Sequence, residues 1–555
     1  MIVSANRHRW LIVALAALIL GSALGQRLPW HIDEVRFVGV ALEMLQSGQW
    51  WVPHRAGEIY ADKPPIFFWT MAAAIKLIGS VRWAFPLPAL LASGAALLLI
   101  YDLGSRLWNR RVGLCAAVLL LCCYQFWRLA TYAHIDGFLV GWTTLGLYGF
   151  TRHLLSGRDQ RWFYLAFAAL AVGILSKGVG FLPVLIALPY AVARWRGATL
   201  AAAPPARQWL FGVAILLGLL LCWLVPLLIF ARSDAEIQAY LHEILFRQTA
   251  KRYTDAWQHR EPVWFFLAQI PKYWAPLSLL LPWLVPIWWQ RLRRNDSRYV
   301  LLLGWAALVL LFFSLSSGKR ELYMLPALPA VALAAAAPLQ LLLRKRWMQR
   351  LIIGVSVFLI VVAFAVGAIR IGGMLPKSSL MQWPVAAGYV LFAGGVLALF
   401  GMVLLRRRHA AVRWLAVYVI LIACYQRGLL PLADAVESGQ PAMAALSQAA
   451  APAALALIDW DEREWLYSEA PLLHNGIRSA NGTDLCSTAA VPMQWVLNTE
   501  TAARLHLPIE PAFAIQPHDV YVVLAPQQSS VPCATRSPFR YRFEWNAASR
   551  QRLAR

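Results

Sequence analysis

The feature that most constrains this chain is a succession of apolar stretches of membrane-crossing length, separated by short clusters of arginine. A helix needs roughly 17–25 predominantly apolar residues to cross the hydrocarbon core of a bilayer. Such stretches occupy residues 10–25, 84–103, 112–127, 135–150, 163–175, 180–193 and 210–230, then 274–289, 300–315, 322–343, 351–368, 384–405 and 414–430. That is about thirteen spans, the shorter ones completed by flanking residues that snorkel. Composition agrees: 60% of the 555 residues are hydrophobic and 14% are charged, which excludes an ordinary set of soluble domains and a disordered chain. Seven cysteines exclude a disulfide-dense scaffold. The net charge of +24 would point to nucleic acid only if the basic residues gathered on a water-facing domain. They fall between apolar runs instead, where they face anionic lipid headgroups, so nucleic acid is not an expected partner.

Arginine and lysine also set the orientation. Arg7 and Arg9 precede the first stretch and place the N-terminus in the cytoplasm, as a retained first helix without a small-residue cleavage site. Every second loop afterwards is basic, from Arg106/Arg110/Arg111 through Arg152/Arg158/Arg161 and Arg194/Arg196/Arg207 to Arg291/Arg293/Arg294/Arg298, Arg344–Arg350 and Arg406–Arg413. An odd number of spans sends the C-terminal segment to the opposite side, the periplasm of a bacterial inner membrane. The expected organisation is an all-α polytopic membrane domain over 1–432 and a small periplasmic α/β domain over 433–555, with strand-like runs at 454–460 and 520–525. Cys486 and Cys533, both in that domain, either pair as a disulfide or remain two separate thiols.

Two non-cytoplasmic loops are far longer than connectors need to be: 26–83, with apolar stretches 38–45 and 64–78 expected as helices along the membrane surface, and 231–273. Six polar groups lie on that same side. They are His31-Ile-Asp33-Glu34-Val-Arg36; Tyr60-Ala-Asp62-Lys63-Pro64-Pro65; His134-Ile-Asp136; Ser176-Lys177-Gly178, with no acid near it in sequence; the arginines and histidine of the long loop, Arg247, Arg252 and His259; and Ser314 through Lys319 to Tyr323 and Pro326. Singly each has a bland reading: a solvated loop, a lipid-anchoring lysine, an acid balancing a helix dipole, an interfacial tyrosine. Their shared side argues for a cavity at the outer membrane surface, where acids face a polar substrate and cations face a lipid-borne phosphate.

These motifs resemble the GT-C membrane glycosyltransferases, the class that includes protein O-mannosyltransferases, and within it the 4-amino-4-deoxy-L-arabinose transferases that modify lipid A. Asp33-Glu34 is similar to the acidic pair of the family's first loop. Tyr60 with Asp62-Lys63-Pro64 resembles its Tyr-x-Glu/Asp-Lys-Pro, and Leu175-Ser176-Lys177-Gly178 its Leu-Thr/Ser-Lys-Gly. Gln258-His259 to Trp264 resembles its Gln-His-x-x-Pro-Phe-Trp, and Ser314 to Pro326 its Ser-x-x-x-Gly-Lys-x-x-x-Tyr-x-Leu-Pro. The likeness in motifs covers about 10–335 and extends beyond that by architecture alone.

The resemblance implies a GT-C fold and transfer of 4-amino-4-deoxy-L-arabinose from undecaprenyl phosphate to a lipid A phosphate, with inversion. No cofactor is required, and a divalent metal is compatible with the carboxylates but not needed. Asp33, Glu34 and Asp136 are the expected catalytic acids. Arg36, Tyr60, Asp62, Lys63, Lys177, Arg247, Arg252, His259, Lys319 and Tyr323 are the expected substrate-binding residues. The alternatives are a transferase of the same fold acting on protein or another glycolipid, and a lipid-linked sugar transporter. A transporter would carry its charges near the midplane and show inverted repeats, and neither is visible in the sequence.

Overall fold

The computed structural model describes residues 2–157, 159–201, 203–245, 261–373, 383–458, 460, 462–477, 493–498, 511–516, 519–524 and 541–555. Among these described residues seven helices are long and apolar enough to cross a membrane: Val81–Leu107, Ala206–Phe230, Ser297–Leu315, Glu321–Leu342, Arg346–Ile371, Ala386–Leu404 and Ala410–Asp434. The number becomes eight if one bent pair is a single span. Helices Ile2–Ile19, Ile135–Ser156, Gln160–Lys177 and Leu277–Arg293, and the shorter run Val179–Trp195, occupy other apolar stretches. Helix Ala206–Phe230 exposes Leu210, Phe211, Leu217, Leu221 and Phe230. Water would not tolerate such a surface, whereas a lipid environment matches it. This is a multi-pass membrane protein.

The bent pair corrects the expectation of one straight span over 112–127. Helix Arg110–Cys122 breaks at Cys123 and turns by 71° into Tyr124–Ala130. Cys123 is extended, and the Tyr124 N–H donates to the Ala275 carbonyl at 2.9 Å instead of continuing the helical ladder. No proline or glycine marks the site, because the break is made by a tertiary hydrogen bond.

The first long loop folds into helix Ile32–Ser47, a two-stranded antiparallel hairpin (β1, His54–Arg55; β2, Glu58–Ile59) and helix Ile66–Ile78. The C-terminal segment adds a six-stranded mixed sheet built from β3 (Ala454–Ile458), β4 (Leu472–His474), β5 (Met493–Asn498), β6 (Pro511–Gln516), β7 (Asp519–Leu524) and β8 (Tyr541–Phe543). Its order is β6-β7-β5-β3-β4-β8, with β3 parallel to β4 and β5 and the other pairs antiparallel. Cys486 and Cys533 lie outside the described residues.

Loop and sheet are one body. Val35, Phe37, Val38, Phe67 and Phe68 share a continuous apolar core with Leu455, Trp460, Trp465, Phe543 and Trp545. Gln46 closes the seam at one end, its amide donating to the Glu544 carbonyl at 2.8 Å and accepting from the Asn546 N–H at 2.9 Å. At the membrane end, Asp434 accepts from the Leu28 N–H at 2.7 Å and pairs with Arg82 at 2.9 Å, tying the last span to the exit of the first. The residues that begin the loop are thus fixed by both the membrane bundle and the C-terminal sheet.

Candidate active site

Asp33 stands in the first turn of helix Ile32–Ser47, whose backbone N–H groups favour a negative charge there. Its Oδ2 accepts from Arg320 at 2.9 Å and lies 3.4 Å from His134 Nε2, while Oδ1 meets Arg36 at 3.3 Å. Burial works against its ionisation, but His134, Arg320 and Arg36 outweigh it and hold the carboxyl well below the usual carboxylate range. The side chain keeps 17% of its exposure, so a partly open, permanently charged oxygen pair faces the site.

His134 links Asp33 to the second acid. It N-caps helix Ile135–Ser156, and its Nδ1 lies 3.1 Å from the Asp136 carboxylate. Asp136 is buried and receives the Lys177 ammonium on both oxygens, at 2.6 and 2.7 Å. The ammonium also lies 4.5 Å from the centre of the Tyr323 ring. Lys177 ends its helix and is followed by Gly178 at φ +58, a left-handed conformation that favours glycine and lets the chain turn away directly after the lysine. The expectation that Lys177 lacks a compensating acid is therefore corrected: its acid lies 41 residues away in sequence and in direct contact in space.

Asp33, Asp136, Lys177 and Tyr323 are thus brought into one connected cluster, together with Arg36. Glu34 is placed differently. Arg27 grips it bidentately at 2.7 Å on each oxygen, the Ala133 N–H donates to it at 3.0 Å, and its side chain is 0% exposed. Arg27 in turn lies against the rings of Trp30, Phe85 and Tyr132. The sealed pair joins the start of the loop to the start of helix Ile135–Ser156, directly behind Asp33.

Tyr60 is buried at the end of the hairpin, within electrostatic reach of Asp62, Arg36, Arg55 and Asp33; burial and then Asp62 push its phenol up. Lys63 is half-buried at the entry to helix Ile66–Ile78, its ammonium donating to the Asp62 carbonyl at 3.0 Å. Lys319 is buried and donates to the Glu261 carbonyl at 2.7 Å, so it anchors the long loop where the described chain resumes. Its neighbour Arg320 is the one that reaches Asp33. Arg247, Arg252 and His259 lie outside the described residues. Two members of the cluster, Arg320 and His134, sit inside motifs singled out above without being marked as site residues themselves. Among the described residues no three His, Cys, Asp or Glu side chains gather as a metal-binding group.

A family model described as dolichyl-phosphate-mannose-protein mannosyltransferase matches residues 62–229. An undecaprenyl phosphate-alpha-4-amino-4-deoxy-L-arabinose arabinosyl transferase of Pseudomonas fluorescens is 32% identical over 342 residues, a stretch covering 59% of each chain. The corresponding transferase of Pectobacterium carotovorum is 29% identical over 453 residues, 78% of this chain and 77% of that one. The crystal structure of ArnT from Cupriavidus metallidurans bound to undecaprenyl phosphate superposes with a TM-score of 0.73 at 21% identity, covering 95% of this chain and 98% of that one. The chain shares the fold of that transferase. The match to the first of these relatives spans less than two thirds of that relative's length.

Proposed function

We propose that this protein transfers 4-amino-4-deoxy-L-arabinose from undecaprenyl phosphate to a phosphate of lipid A, at the periplasmic face of a bacterial inner membrane. The observation that carries the reading is Asp33: a carboxylate kept ionised by Arg36, Arg320 and His134, at the outer end of a membrane bundle and beside the Asp136–Lys177 pair. The arabinosyl transferases named above support the sugar and the carrier.

The chemistry fits the groups. A lipid phosphate is a good leaving group, so the departing oxygen needs cationic compensation more than a proton. Lys63 is the described candidate, with Arg247 or Arg252 of the long loop and the Tyr60 and Tyr323 phenols as further donors. A phosphate acceptor is anionic near neutral pH and needs no strong base. Asp33 then stabilises positive charge as it develops on the sugar ring, and Arg36 and Arg320 relieve its repulsion of the incoming phosphate. Asp136 and Lys177 hold His134 and Tyr323 in place, and Glu34 with Arg27 fixes the backbone beneath Asp33.

A hydroxyl acceptor is the second reading, favoured by the mannosyltransferase family model over 62–229. Asp33 would then be the general base. Purified protein given undecaprenyl-phosphate aminoarabinose should release undecaprenyl phosphate when lipid A is added. Release that requires a peptide or another glycolipid, and ignores lipid A, would replace this reading with the second.

A further inference from the structure

The short helix Glu462–Tyr467 follows β3 in the C-terminal sheet, and every one of its residues is buried. It lies directly on the helix that carries Asp33. Gly39 permits the contact: a Cβ there would sit 2.5 Å from the Trp465 ring. This packing delivers the Glu462 carboxylate, 2% exposed, to Arg36 Nε at 2.6 Å and to Arg55 Nη1 at 3.4 Å. The same Arg36 reaches Asp33 with Nη1 at 3.3 Å. Two carboxylates, one from each end of the chain, share one guanidinium, and Glu462 has the tighter hold.

That division leaves Asp33 with unequal oxygens. Oδ2 is fixed by Arg320 and His134, whereas among the described residues Oδ1 has only the long contact to Arg36. An arginine free to choose pairs with a carboxylate through two of its three nitrogens and occupies both oxygens. We propose that Glu462 is a positioning residue for the transfer reaction: by holding Arg36 through Nε, it keeps that arginine from closing on Asp33 and leaves Oδ1 free to face the sugar. The C-terminal sheet is then part of the catalytic apparatus, not an appended domain. A purely architectural role for Glu462 would dock the sheet onto Arg36 and Arg55 with no consequence for Asp33.

The inference rests on the proposed role of Asp33, and a double-mutant cycle separates the two. The full-length protein is assayed in detergent or nanodiscs with the lipid-phosphate sugar that the wild type consumes. Glu462→Gln should lower kcat about tenfold to a hundredfold per folded enzyme, with donor KM little changed, because a misaligned reacting group costs rate and not affinity. Asp33→Asn should cost roughly 10²–10³-fold. If Glu462 acts through Asp33, the double variant should be no slower than Asp33→Asn alone. Losses that multiply, or wild-type turnover in Glu462→Gln, would overturn the inference. Should Glu462→Gln fail to fold, Glu462→Asp keeps the charge, withdraws it from Arg36 and enters the same cycle with the same two outcomes. A wild type that consumes a different lipid-phosphate sugar removes the donor assignment while the cycle proceeds on that sugar. One that consumes none overturns both.

Discussion

Successive residues of a helix point about 100° apart, so two adjacent acids cannot both enter one site from it. Asp33 faces the arginines and histidine of the cluster, and Glu34 faces the sealed Arg27 pair. The sequence marked both acids as candidates because it displays neighbours, not directions. The same limit made Lys177 look unpaired and drew attention to Lys319 where Arg320 is the residue that reaches Asp33. What was legible was the inventory: acids, lysines and tyrosines of the right kinds on one side of the membrane. The pairing was not, because Asp33, His134, Lys177 and Arg320 come from four separated segments. Lys63 carries a sharp expectation at this scale. Lys63→Ala should weaken undecaprenyl phosphate binding on the order of tenfold to a hundredfold, the worth of one charge-assisted contact. Calorimetric or fluorescence titration of the lipid phosphate would check it, and unchanged affinity would remove Lys63 from the donor site.

At the scale of elements, the strand-like runs 454–460 and 520–525 overlap β3 and β7. The break at Cys123 escaped, since its cause is a carbonyl more than a hundred residues away. The docking of the hairpin onto the C-terminal sheet escaped for the same reason. His474 of β4 makes that docking testable. It is buried, with Nε2–H donating to the Ala56 carbonyl at 2.9 Å and Nδ1 accepting from the Gly476 N–H at 3.1 Å. Burial, with Arg55 adding to it, lowers the imidazole to about 4. The folded state therefore holds His474 neutral where the unfolded chain takes up a proton. Its contribution is fully present above about 6.5, and it is lost as pH falls through about 4, by up to a few kcal/mol. The thermal midpoint should fall across that window, and His474→Gln, which has no charge to gain, should flatten the slope. A slope unchanged by that substitution would show that other groups govern the acid limb.

For the whole molecule, basic loops alternate with polar ones, and the proposed topology puts Asp33 and the C-terminal sheet together on the periplasmic side. An alkaline phosphatase fusion after Gln448 should be active and one after Arg346 inactive; the reverse would turn the site toward the cytoplasm. Hydrophobic burial joins the first loop to the last sheet across the boundary expected at residue 433, over more than four hundred residues of sequence. The proposed function requires that single body to work as a lipid A transferase built around Asp33. Mass spectrometry of lipid A tests this most directly, in cells that make undecaprenyl-phosphate aminoarabinose and carry the wild-type chain, the Asp33→Asn chain or neither. Aminoarabinose on the lipid A phosphates with the wild type alone, while the folded Asp33→Asn protein leaves them bare, is the predicted result. Equal modification by Asp33→Asn, or bare lipid A in all three strains with the wild-type chain folded in the membrane, would contradict it.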